Sequence, residues 1–79
     1  MYKIVLLPLA EKVYKKLAQY DKGIFSRIDY ALRSLRENPF CGKALKGNLR
    51  GKYSYRVGSY RIIYTVISQK LVIYILDIG

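Results

Sequence analysis

Leu45-Lys46-Gly47-Asn48-Leu49-Arg50-Gly51-Lys52-Tyr53-Ser54-Tyr55-Arg56-Val57-Gly58-Ser59-Tyr60-Arg61-Ile62-Ile63-Tyr64 is the stretch that decides the fold. Gly58-Ser59 reads as a two-residue hairpin turn, because glycine reaches positive φ without steric cost. With that loop, Val57 pairs with Tyr60, Arg56 stands opposite Arg61, Ser54 faces Ile63 and Lys52 faces Thr65. Side chains alternate along a strand. Lys52, Ser54, Arg56 and Arg61 then share one face, and Tyr53, Tyr55, Val57, Tyr60, Ile62, Tyr64 and Val66 share the other. The second face is apolar enough to receive helices. Like charges directly opposed on antiparallel strands are destabilising. Two facing guanidinium groups therefore point to an anion, whose oxygens suit their planar forks. The structural alternative is a salt bridge from one arginine to Asp77, Asp29 or Glu37.

Outward from this hairpin, Tyr60–Ile67 and Leu71–Ile78 read as further strands, rich in Tyr, Ile and Val, with Ser68-Gln69-Lys70 as a turn. Upstream, residues 40–51 form a Gly-rich loop or short irregular strand carrying Lys43, Lys46 and Arg50. Residues 2–7 read as an apolar strand. Pro8 opens a helix over 8–21, with Leu9, Val13, Leu17 and Tyr20 on one stripe. Asp21-Lys22-Gly23 reads as a turn. A second helix carries Ile24, Ile28, Leu32 and Leu35 and ends at Asn38-Pro39. The order β-α-α-β-β-β predicts an α+β fold: a helical hairpin packed on one face of a mainly antiparallel sheet.

The chain has 79 residues, which fits one domain over 1–79. It has no histidine and one cysteine, which excludes a Ser-His-Asp triad, a histidine base, an internal disulfide and a thiolate zinc site. No metal is expected. Cys41 reads as an inert, partly buried thiol. Met1–Leu7 is too short for a signal peptide and no run approaches the ~18 apolar residues of a membrane span, so the cytoplasm and no membrane partner are expected.

The formal charge is +10. No carboxylate lies between Glu37 and Asp77, while Lys43, Lys46, Arg50, Lys52, Arg56, Arg61 and Lys70 all do. An acid-free stretch running through the strands predicts an anion-binding surface. Lys43, Lys46 and Arg50 are the candidates for following an RNA phosphate chain. Tyr74 is the aromatic that the alternation allows on the cationic face, where it could stack a base. The tyrosines of the hairpin read as core residues. Lys12, Lys15 and Lys16 read as a solvated helix face.

The stretch Leu45–Tyr64 closely resembles the "LkGxLxGxYxyRvGdYRiiY" core of RelE-type toxins in the RelE/ParE superfamily. The N-terminal strand, the Pro-started helix, the second helix ending in Asn-Pro and the last Val-Ile-Tyr-Ile-Leu strand fit as well. The resemblance implies the RelE-like α+β fold and translation inhibition within a toxin–antitoxin pair. The RelE branch cleaves mRNA on the ribosome, without metal or cofactor, by attack of an RNA 2′-OH on the adjacent phosphate. The ParE branch instead poisons DNA gyrase; a basic RNA-binding domain without catalysis is the third reading.

The resemblance assigns Arg61 as a phosphate and transition-state ligand, and Arg56 as a basic group near the scissile phosphate. Ser54 stands where some members carry a lysine, and the nearest cation to that role is Lys52. The implied partners are the ribosome with its mRNA and an acidic, RelB-like antitoxin. Family members continue past the last strand with a basic cluster and a tyrosine or histidine. This chain stops at Gly79, so the expectation is a toxin weakened by a missing part of its catalytic set.

Overall fold

The computed structural model describes residues 1–79. Strand β1 (Lys3–Leu6) leads into α1 (Pro8–Tyr20) and α2 (Lys22–Glu37). Strands β2 (Lys43–Ala44), β3 (Lys52–Val57), β4 (Tyr60–Ile67) and β5 (Val72–Ile78) follow, with 3₁₀ turns at Gly47–Leu49 and Ser68–Lys70. They form one sheet in the order β1-β5-β4-β3-β2. β1 pairs parallel with β5, and every other pairing is antiparallel. The helical hairpin lies on one face, so the expected architecture holds.

Each helix has a local reason to start and stop where it does. Pro8 occupies the first turn of α1, where no N–H is needed. The expected three-residue turn between the helices is a single residue. Asp21 ends α1 through its N–H to Leu17 O and caps α2 through its carboxylate, which accepts the Ile24 N–H at 3.2 Å. The buried stripe of α1 differs from the expected one. Ala10 and Leu17 are buried, while Leu9 is 64% and Tyr20 75% exposed. The small Ala10 side chain lets α1 approach β5 closely, which turns Leu9 to solvent. In α2 the expected Ile28, Leu32 and Leu35 are buried together with Ala31, while Ile24, in the first turn, is only half-buried. Tyr14 on α1 donates to Asp29 on α2 at 2.8 Å and packs on Phe25, locking the pair together.

The core is Val57, Ile62, Tyr64, Ile73, Ile75 and Ile78 from the sheet under those helix residues. A bulge keeps all three β5 isoleucines inward. Ile63 pairs with Asp77 and Tyr64 with Ile75, so Leu76 is an extra residue on β5. The extra residue flips the alternation. Without it Asp77 would face the core and Ile78 would face solvent. Leu71 enters β5 with φ +54, a left-handed conformation uncommon for leucine.

Candidate functional site

The hairpin register matches the reading from Gly58-Ser59: Arg56 faces Arg61, Ser54 faces Ile63 and Lys52 faces Thr65. Gly58 has the positive φ, +59, that the turn requires. The helix-free face of the sheet therefore carries side chains in rows. Arg56 and Arg61 form the first row, and Gly79 closes it through paired backbone bonds to Arg61 at 2.7 and 2.9 Å. Lys43, Ser54, Ile63 and Asp77 form the second. Lys52, Thr65, Tyr74 and Val5 form the third. Adjacent rows lie about 7 Å apart, two strand residues.

Neither arginine is in an ion pair. The only salt bridges are Lys15–Glu11 at 3.8 Å and Arg33–Asp29 at 3.4 Å, both on helices. Arg56 Nε donates to Gly58 O at 3.1 Å, which steadies the guanidinium and leaves its terminal nitrogens free. The salt-bridge alternative for these residues is thus not realised. A concavity of about 320 Å³ opens between them, lined by Lys43, Leu45, Ser54, Arg56 and Arg61. Four cationic or hydroxyl groups converge there with no carboxylate among them, an arrangement suited to a phosphodiester and the charge that develops on it.

The other sequence candidates distribute unevenly. Lys52 lies on the same face, one row beyond Ser54, outside the lining of the concavity. Lys43 is inside it, because β2 pairs Lys43 directly with Ser54. A lysine thus reaches the Ser54 position from the neighbouring strand. A two-residue strand has no periodicity by which sequence could announce this placement. Lys46 and Arg50 are exposed on either side of the 3₁₀ turn Gly47–Leu49, and Thr65 tethers that loop by donating to Gly51 O at 2.8 Å. Tyr74 does stand on the helix-free face, but beside Thr65 and Val5 rather than beside the arginines.

Tyr64 positions Lys43. Its hydroxyl donates to Pro39 O at 2.8 Å and accepts the Gly42 N–H at 3.1 Å, pinning the chain that leads into β2. Burial pushes this hydroxyl up to about 12, against the opposing pull of the Gly42 N–H. Tyr53 stacks on Tyr64 with ring centroids 5.4 Å apart, and Phe40 meets Tyr53 edge-on at 5.8 Å. Pro39 is buried in this clamp, and Cys41 is exposed rather than partly buried, since the pinned residues on either side take the inward positions. The core assignment of the hairpin tyrosines holds fully for Tyr64; Tyr53, Tyr55 and Tyr60 are half-buried at its edge.

No helix is long and apolar enough to cross a membrane. Comparison with known proteins gives a consistent result. The family model for the ParE toxin of the type II toxin–antitoxin system parDE matches residues 4–79. Toxin YoeB of Synechocystis sp. is 33% identical over 76 residues, covering 90% of this chain and 88% of that protein. The YoeB–YefM complex of Staphylococcus aureus contains a chain that is 29% identical, with a TM-score of 0.85 over 100% of this chain and 95% of that one. The intact E. coli RelBE toxin–antitoxin complex shares the fold, with a TM-score of 0.82 at 20% identity over 100% of this chain and 95% of that one. With the match running from β1 through Gly79, this chain belongs to the ParE toxin family of type II toxin–antitoxin systems.

Proposed function

We propose that this toxin cleaves mRNA on the ribosome, by a reaction in which the RNA supplies its own nucleophile. The observation that carries the reading is the unpaired Arg56/Arg61 couple in a concavity completed by Lys43 and Ser54. A ribose 2′-OH attacks the adjacent phosphorus in line. The O2′–P bond forms, the P–O5′ bond breaks, and the products are a 2′,3′-cyclic phosphate and a 5′-hydroxyl end. The 2′-OH proton passes to water, and the departing 5′ oxygen takes one from the Lys43 ammonium. Arg61 and Arg56 hold the non-bridging oxygens as negative charge builds on the phosphorane, where fixed donors are worth most. Lys52, Lys46 and Arg50 continue the cationic track for the flanking phosphates, and Tyr74 supplies an aromatic surface further along the same face.

The ribosome presents the mRNA, and the cytoplasm is where the two meet. An acidic antitoxin silences the site by covering the same cations; the S. aureus YoeB chain is seen with YefM and the E. coli toxin in a RelBE complex.

Mapping mRNA 5′ ends after induction, together with cleavage on purified ribosomes, tests the reading. Arg61→Ala is expected to lower cleavage by about 10²–10³-fold, the loss typical of one transition-state donor. A gyrase supercoiling assay runs alongside. Inhibited supercoiling with intact mRNA would make the chain a gyrase poison. RNA binding without new 5′ ends would make it a non-catalytic RNA-binding domain.

A further inference from the structure

A second cavity, of about 470 Å³, lies between α2 and the outer side of β3. Arg27, Tyr30 and Arg33 line it from the helix; Tyr55, Arg56 and Val57 line it from the strand. Its size falls within the roughly 300–1,000 Å³ of small-molecule clefts. Arg56 is common to this cavity and to the concavity on the sheet face. The two are therefore neighbours around one edge of the sheet.

That edge is open. β2 pairs only with Ser54 and Tyr53, which leaves β3 without an outer neighbour from Tyr55 to Val57. At the end of this gap Arg27 and Arg56 converge on Gly58. Arg56 Nε donates to Gly58 O, and Arg27 Nη1 lies 3.2 Å from where a Cβ on Gly58 would sit. The glycine thus makes room for the second guanidinium as well as for the turn. Arg27 forms no ion pair. Tyr30 stands beside it, 68% exposed on the helix surface.

The geometry points to a second nucleotide subsite in this cleft, taking an unpaired nucleotide of the RNA strand whose neighbour lies over Arg56 and Arg61, with Arg27 on its phosphate and Tyr30 against its base. The inference rests on the RNA reading above. Phosphate oxygens suit a guanidinium fork, and an exposed ring beside a cation is how unpaired bases are held. A peptide anchored by an apolar side chain is disfavoured by the lining, in which Ala31 and Val57 are the only aliphatic residues against three arginines.

The test is fluorescence anisotropy with a labelled 2′-O-methyl uridine decanucleotide, which lacks the attacking hydroxyl and stays intact. Tyr30→Ala and Arg27→Gln are each expected to weaken binding about tenfold. Arg27→Gln also flattens the dependence of log K on log salt by about 0.7, one phosphate on a single strand, whereas Tyr30→Ala leaves that slope unchanged. Both side chains are exposed, so thermal midpoints should stay within about 3 °C of the parent. Parent-like affinity in both variants, with binding still lost in Arg61→Ala, would overturn the subsite and leave the RNA reading standing. Parent-like affinity in all three would sink the RNA reading itself. Weaker capture of a labelled aspartate-rich peptide, with RNA affinity unchanged, would overturn the subsite in favour of a protein partner.

Discussion

Replacing Tyr64 with phenylalanine removes one oxygen from the core and leaves two backbone groups without a partner. The hydroxyl donates to Pro39 O at 2.8 Å and accepts from Gly42 N at 3.1 Å. Pro39 is buried, so its carbonyl loses its partner where water does not easily follow, at a cost of about 1–2 kcal/mol. Gly42 is only half-buried and its N–H recovers part of its bond from solvent, a loss of about 0.5–1 kcal/mol. The ring itself keeps its stack on Tyr53, so no cavity term is added. The sum is about 2 kcal/mol, and at 4–8 °C per kcal/mol for a chain of this length the melting midpoint falls by about 8–16 °C. Circular dichroism against temperature measures the fall, and hydrogen exchange at the Gly42 amide locates it. Cleavage should fall as well, since the released segment carries Lys43. A midpoint within about 3 °C of the parent, with Gly42 still protected, would show that the hydroxyl does not hold the loop. A large fall in midpoint with full cleavage below it would separate the clamp from the site.

Four other outcomes follow from the same contacts. Tyr14 and Tyr64 are both raised to about 12 in the folded chain, chiefly by burial, so the neutral form is the native one. Stability is then unaffected by them below pH 10 and is lost as pH rises from 10 to 12; denaturant midpoints across that window should fall, and fall less in Tyr14→Phe. A Cβ at Gly42 would collide with the Tyr64 hydroxyl, so Gly42→Ala should lower the thermal midpoint, and Tyr64→Phe on that background should cost much less than it does alone, because the two changes break the same clamp. Asp21→Ala removes the cap of α2 and should cost about 1 kcal/mol in urea unfolding. Lys43→Ala should reduce ribosomal mRNA cleavage about tenfold or more, and further than Lys52→Ala does, since only Lys43 lines the concavity; equal losses would argue against the placement of Lys43.

The readable parts of this chain are those governed by short-range geometry. Gly58-Ser59 determines a two-residue loop, and from it the whole β3–β4 register follows, Arg56 against Arg61 included. The 3.6-residue period identified the buried face of α2. It was less informative for α1, because Ala10 counts for little on a hydropathy pattern yet sits where the helix comes closest to the sheet. What lay out of reach depends on distant pairing. Lys43 enters the site only through a two-residue strand, the Leu76 bulge is visible only once β4 and β5 are aligned, and the Arg27 cleft joins a helix to a turn thirty-odd positions away. Cys41 faces solvent because its neighbours are clamped by a tyrosine more than twenty residues downstream.

Strand β1 precedes both helices in the chain, yet its only strand partner is the last one. Its sheet neighbour is β5, with Lys3 beside Val72 and Leu6 beside Ile75. At about 5–20 residues per second, translation leaves β1 without that neighbour for roughly 4–14 s. Contacts so distant in sequence also close slowly. Until β5 is in place, β4 lacks one of its flanking strands and Arg61 lacks its backbone bonds to Gly79. A nascent chain therefore carries its cations without the rigid surface that orders them. The paired arginines gain their fixed spacing only when β5, which follows them in the chain, has closed the sheet beside β4.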